Sequence, residues 1–367
     1  MSHLESRGRQ WLPAILFSLT LSVLLQPLLS PGAGATALMA SQSPAVHLSS
    51  LPVAVAPGPG VKGVQIFVEP QAGEQVILQA ISEAQRSLAV EIYLLTDRSV
   101  IQALERAARR GLTVRVMLEP HPYGGGSPDG TMQQLRAAGV EARYANPAFP
   151  LTHAKLMIVD GERAYIMTGN FTRAALGGNR NVANREYGII DPWPKDVSNL
   201  EALFEADWQR TASGSLIDDA NLVISPGNAR TSLQGLIGEA QQTLLVEEEE
   251  MRDQQIEAAL VAAERRGVRV QVVLPAPRGG NDPNAEGIAR LLQGGVAVRE
   301  DDQLYMHAKM LVVDGREAFV GSENCSPPGL ESNREVGILV ADGKVLATLQ
   351  TTFQADWSAS QVVSRLS

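Results

Sequence analysis

One cysteine, Cys325, stands alone in 367 residues. No intramolecular disulfide can form, so cysteine usage does not fix a redox compartment. Nothing around Cys325 spells a cysteine-enzyme motif, so a thiol nucleophile is not expected there. Charge is sparse at 19% and leans acidic, with a formal net charge of −9. Together with 44% hydrophobic residues, this excludes a disordered chain and leaves material for two modest α/β units or one large one. An acidic chain repels nucleic acid at long range, which disfavours an extended DNA-binding surface but leaves a local basic cleft open. No long apolar run follows the N-terminal segment, which argues against a polytopic membrane protein. No H-E-x-x-H or other zinc spacing is present.

The one apolar run, from Trp11 to about Leu25, follows Arg7 and Arg9 and precedes the small-residue stretch "GAGATALMA". A basic start, an apolar middle and an A-x-A site read as a secretory signal over 1–37, cleaved after Ala35 or Ala37. The expectation is export to a periplasm, lumen or medium; the alternative is an uncleaved anchor. A Pro/Gly/Ala linker over 38–65 follows.

The rest of the chain says nearly everything twice. "HAKLMIVDG" from His153 returns as "HAKMLVVDG" from His307. "AISEAQRSLAVEIYLLTD" (80–97) is echoed by "LIGEAQQTLLVEEEEMRD" (236–253), and "ALERAARRGLTVRVMLEP" (103–120) by "ALVAAERRGVRVQVVLPA" (259–276). "NREYGII" at Asn184 becomes "NREVGIL" at Asn333, and "FEADW" becomes "FQADW". The nearly constant offset marks a duplicated domain, with expected bounds 66–212 and 213–367. Helical stretches over 74–86 and 98–110, closed by Gly111 and its echo Gly267, alternate with strands such as "LTVRVML" and "VRVQVVL". "KLMIV" and "KMLVV" are apolar on both faces, which suits central strands buried on both sides. Two tandem α/β domains, each a sheet flanked by helices, should pack about a pseudo-two-fold with equivalent residues meeting at the seam.

H-x-K-x4-D followed by a Gly/Ser-x-Asn element resembles the phospholipase D superfamily. The second copy fits throughout, with His307, Lys309, Asp314, Gly321, Ser322 and Asn324. The first fits with His153, Lys155, Asp160, Thr168 and Asn170, but carries Met167 at the glycine position. The resemblance covers about residues 66–367 and implies an active site at the interface of the two domains. It also implies that the carboxylate after one motif serves the histidine of the other half, Glu335 for His153 and Glu186 for His307, and that His153 attacks.

The residues themselves point the same way. On a strand His153 and Lys155 share a face, as do His307 and Lys309. Two imidazoles and two ammonium groups facing one space suit a phosphodiester. One neutral histidine attacks phosphorus to give a phosphohistidine, and the other donates to the leaving oxygen. The lysines, with Asn170, Asn324, Thr168 and Ser322 as substrate-binding candidates, hold the non-bridging oxygens. No metal or cofactor is called for. Asp160 and Asp314 should face away from the site and anchor the turn at "DG".

The first expectation is therefore a phosphoric diester hydrolase acting on phospholipids, touching a membrane peripherally and needing no obligate protein partner. The alternatives are a secreted nuclease using the same residues, phosphatidyl transfer to an alcohol as in cardiolipin synthase relatives, and a non-catalytic phosphate-binding module. The loops 121–130 and 275–284 should rim the site. The acidic run Glu248, Glu249, Glu250 is expected to be a solvated strand end or, second, a pocket lining.

Overall fold

The computed structural model describes residues 58–124, 126–178, 183–211, 219–279 and 282–363, all within one compact unit. The expected signal segment 1–37, the first part of the linker and the domain junction at 212–218 lie outside the described residues.

The first half runs β1 (Gln65–Glu69), α1 (Gln75–Glu83), β2 (Ser87–Ile92), α2 (Arg98–Arg109), β3 (Thr113–Leu118), α3 (Asp129–Ala137), β4 (Glu141–Tyr144), β5 (Lys155–Val159), β6 (Arg163–Met167), β7 (Asn184–Asp191) and α4 (Pro194–Trp208). The second runs β8 (Leu222–Ser225), α5 (Ala229–Gly238), β9 (Thr243–Glu248), α6 (Gln254–Arg265), β10 (Arg269–Pro275), α7 (Ala285–Gln293), β11 (Ala297–Asp301), β12 (Tyr305–Met306), β13 (Lys309–Val313), β14 (Glu317–Gly321), α8 (Pro327–Glu331), β15 (Glu335–Val340), α9 (Gly343–Ala359) and β16 (Gln361–Val362). The first sheet has the order β1-β7-β6-β5-β2-β3-β4, and the second repeats it as β8-β15-β14-β13-β9-β10-β11, with β16 added at the edge.

Local sequence explains the repeated elements. Asp97 and Asp253 cap α2 and α6, each accepting the N–H groups of the second and third residues of its helix. Gly111 and Gly267 follow the same helices at φ +94°, a left-handed turn that a Cβ would strain. β5 and β13 begin at the motif lysines and are buried along their whole length. One face of each sheet packs on its own helices: Ile77, Leu104 and Val159 in the first half, Leu233, Leu260 and Val313 in the second. The other face meets the opposite half in a shared core containing Leu156, Ile158, Ile189, Met310, Val312 and Ile338. That shared core is why the strands behind the histidines are apolar on both sides.

The far end of the expected linker is part of the fold. The Gly58 N–H reaches the Ala220 carbonyl and the Val61 N–H the Leu339 carbonyl, both at 2.9 Å. Val61 and Val64 are buried in the shared core. Two apolar residues spaced three apart gave this segment a burial partner that its Pro/Gly composition concealed.

Candidate active site

The site is built where the two halves exchange backbone contacts. Thr152 pairs in parallel with Arg334, and Met306 with Arg185. The His153 N–H donates to the Arg334 carbonyl at 2.9 Å, and the His307 N–H to the Arg185 carbonyl at 3.3 Å. Each pairing sets a motif histidine beside the glutamate that follows the arginine of the other half. His153 Nδ1 lies 2.9 Å from Glu335 Oε2, and His307 Nδ1 lies 2.8 Å from Glu186 Oε1. A carboxylate on Nδ1 fixes the tautomer and leaves Nε2 as the working nitrogen of both rings.

The same arginines lock the halves together. Arg185 makes a two-pronged ion pair with Asp356, at 2.5 and 2.8 Å. Arg334, with no exposed surface, pairs with Asp207, its Nε 2.8 Å from the carboxylate. The repeated "NRE" and "ADW" are thus two ends of reciprocal clamps, exchanged as a pseudo-two-fold requires. In each "F-x-A-D-W" the Phe stacks on the Trp four residues later, Phe204 on Trp208 and Phe353 on Trp357, which aims the intervening Asp across the seam.

Lys155 and Lys309 have no exposed surface, and their Nζ groups donate to the carbonyls of His153 and His307. Their environments differ. Burial, reinforced by Lys309 and opposed by Glu335, lowers Lys155 to about 7. Burial would lower Lys309 too, but Glu249 and Glu186 outweigh it and hold its pKa above the usual value. Burial also lowers His153, against the pull of Glu335, which favours the neutral ring.

Of the acidic run at the end of β9, Glu250 is partly exposed beside Arg252, but the residues before it are not a solvated strand end. Glu247 and Glu248 are buried, and burial raises both well above the usual carboxylate range. Glu247 accepts the Tyr187 hydroxyl at 2.6 Å. Glu249 enters the site, its Oε2 2.8 Å from Lys309 Nζ and 3.4 Å from His307 Nε2. Despite burial, His307 and Lys309 pull its pKa down, so it is ionised. The repeat aligns Glu249 with Tyr93. Tyr93 instead meets His153 in a T-shaped contact, with centroids 4.8 Å apart, and its hydroxyl accepts the N–H of Tyr123 in the loop after β3. Glu249 is the site residue that sequence reading reached only as its second choice, a pocket lining; alignment of the acidic run with the Tyr93 position was the signal for it.

Two expected substrate-binding hydroxyls have other work. Thr168 Oγ1 donates to Glu186 Oε2 at 2.7 Å and accepts the Tyr187 N–H at 2.9 Å. Ser322 Oγ accepts the Val336 N–H at 3.0 Å. Both residues are fully buried, and the contacts of their hydroxyls are to backbone and carboxylate. Asn170 and Asn324 are buried nearby, and Asn170 Oδ1 accepts the Leu94 N–H at 3.2 Å, which leaves its N–H donors for a ligand. Asp160 and Asp314 lie away from the site. Each accepts three successive backbone N–H groups, Gln85 to Ser87 and Gln241 to Thr243, tying the β-turn after the motif to the start of β2 or β9.

Met167 does not crowd the first motif. It packs in the core of its half, and Gly169 stands where the second half has Glu323. In the second half the exchange is reversed: a Cβ on Gly321 would meet Glu323 Oε2 at 2.2 Å. Cys325 is buried, and burial pushes its thiol well up, which disfavours the thiolate.

A sheet order repeated in two halves and paired His–Lys motifs closed by crosswise glutamates define a phospholipase D-like enzyme of phosphodiester chemistry. The family described as "Cardiolipin synthase, PLD-like domain" matches residues 77–208 and 233–357, and the chain belongs to it, within the phospholipase D superfamily. It is 23% identical over 343 residues to a cardiolipin synthase of Oceanobacillus iheyensis, covering 83% of this chain and 70% of that one. It is 26% identical over 324 residues to cardiolipin synthase B of Escherichia coli K12, covering 76% and 77% of the two chains. In fold it is similar to phosphatidylserine synthase of Haemophilus influenzae, with TM-score 0.64, 11% identity and 82% and 87% coverage. It is also similar in fold to polyphosphate kinase of Porphyromonas gingivalis, with TM-score 0.63, 17% identity and 80% and 47% coverage.

Proposed function

We propose that this chain transfers a phosphatidyl group from a phospholipid to an alcohol through a phosphohistidine, and that cardiolipin is its product. The observation that carries the chemistry is the crosswise closure of both histidines by glutamates of the opposite half, which leaves two Nε2 atoms and two lysines for one phosphodiester. Transfer is preferred to the hydrolysis first expected from sequence because the similar proteins named above are cardiolipin synthases.

The two histidines are not alike. His153, held neutral by burial, is the nucleophile. Its Nε2 bonds to phosphorus while the ester oxygen leaves with a proton from His307. His307 has a carboxylate facing each nitrogen, Glu186 2.8 Å from Nδ1 and Glu249 3.4 Å from Nε2. The acceptor hydroxyl then gives its proton to His307 as its oxygen displaces His153 from phosphorus. Lys155, Lys309 and the Asn170 amide stabilise the non-bridging oxygens as charge grows on them.

The test is mass spectrometry of phosphatidylglycerol vesicles incubated with the protein in EDTA. Cardiolipin and free glycerol should accumulate with wild type and not with His153→Ala or His307→Ala. Phosphatidate as the sole product would return the reading to hydrolysis. Product formation restored only by added metal would remove the lysines from their assigned role.

A further inference from the structure

Glu249 is unlike its counterpart across the pseudo-dyad, and the difference falls on the working nitrogen of one histidine. Glu249 Oε2 stands 3.4 Å from His307 Nε2 and 2.8 Å from Lys309 Nζ, while Oε1 accepts the Tyr305 hydroxyl at 3.1 Å. The equivalent position beside His153 carries the ring of Tyr93. The Glu249 side chain retains 17% of its exposure, so an incoming ligand can reach it. An ionised carboxylate beside a phosphoryl group is repulsive. It attracts cations and hydrogen-bond donors; Lys309 already supplies the cation, and the donor that arrives at His307 Nε2 in the second step is the acceptor alcohol.

We infer that Glu249 is the specificity-determining residue of the acceptor site, selecting alcohols that carry a second hydroxyl beside the reacting one. This rests on the transfer reading above. In the step it serves, the reacting hydroxyl passes its proton to His307 Nε2, the O–P bond forms and the P–N bond to His153 breaks. The neighbouring hydroxyl meanwhile donates to the Glu249 carboxylate and aligns the attacking oxygen. A monohydric alcohol can satisfy His307 but has nothing to offer Glu249.

The experiment partitions one intermediate between two acceptors. Phosphatidylglycerol vesicles are incubated with equimolar 1,2-propanediol and 1-propanol, and the two phosphatidyl adducts are measured by mass spectrometry. Their ratio does not depend on how fast the phosphohistidine forms. Wild type should favour the diol, and Glu249→Gln should lower the diol-to-propanol ratio about tenfold, the worth of one charge-assisted hydrogen bond. Glu249→Asp should recover part of that preference. Wild-type adducts with a ratio unchanged in Glu249→Gln would overturn the inference and leave transfer standing. Loss of both adducts in both variants, with unfolding midpoints intact, would assign Glu249 to the phosphoryl step and also overturn it. Wild type giving phosphatidate and no adduct would remove the transfer reading and the inference together.

Discussion

Replacing Lys155 with methionine is expected to stabilise the protein while abolishing turnover. The side chain has no exposed surface, and its pKa falls from 10.5 to about 7, chiefly through burial. At about 1.4 kcal/mol per pH unit, that drop means the folded protein carries a charged Lys155 at a cost of about 5 kcal/mol. The unfolded chain holds the proton more tightly, so the cost is fully present below pH 7. It fades as pH rises from about 7 to 10.5 and is gone above that. Methionine keeps most of the buried stem and removes the charge. The variant should therefore exceed wild type by ~3–5 kcal/mol at low pH, with the gain vanishing at high pH. Lys309, equally buried, is the control. Glu249 and Glu186 outweigh its burial, so Lys309→Met strands two carboxylates and should lose about 3–5 kcal/mol. Urea unfolding of the three proteins across the pH range decides the matter. A Lys155→Met variant no more stable than wild type at low pH, or an offset independent of pH, would refute the reasoning.

Other outcomes follow from the same contacts. Deprotonation of Lys155 in the free enzyme should make kcat/KM fall as pH rises through about 7. A bound phosphate raises the pKa of that lysine, so kcat should hold to higher pH. Glu335→Gln and Glu186→Gln should each lower kcat by about a hundredfold or more, since the tautomer and orientation of a catalytic histidine are lost. Arg185→Met leaves Asp356 buried without its partner and should cost about 3–5 kcal/mol; the Arg185→Met/Asp356→Leu double variant should recover much of it in urea unfolding. Thr168→Val should lower kcat by about tenfold, through the freed Glu186 carboxylate, and raise KM little.

Much of the architecture was legible because the sequence carries it twice. "KLMIV" and "KMLVV" marked β5 and β13 at their observed bounds, since only a strand covered on both faces is apolar throughout. Asp160 and Asp314 were read as turn anchors, and in the turns after β5 and β13, at φ +58° and +52°, they gather backbone donors. What stayed hidden required contacts between distant segments. "NRE" and "ADW" were visible as repeats, but nothing local says that Arg185 reaches Asp356 or Arg334 reaches Asp207. Thr168 and Ser322 matched a hydroxyl position without revealing which neighbour claims the hydroxyl. Glu249 came second, as a pocket lining, because three carboxylates look costly to bury unpaired. Burial pushes Glu247 and Glu248 towards the neutral form, and the cations of the site hold Glu249 charged.

Tyr93 and Glu249 occupy one position in two copies, and that has a consequence for direction. A dimer of identical subunits presents the same side chain at both ends of its cleft, so a substrate can enter either way round and any change at one end appears at the other. Joining the copies in one chain releases that constraint. One end can be lined by an aromatic ring and the other by a carboxylate, each altered without disturbing its counterpart. The cleft then has a front and a back, and the two ester oxygens of a phosphodiester meet different side chains.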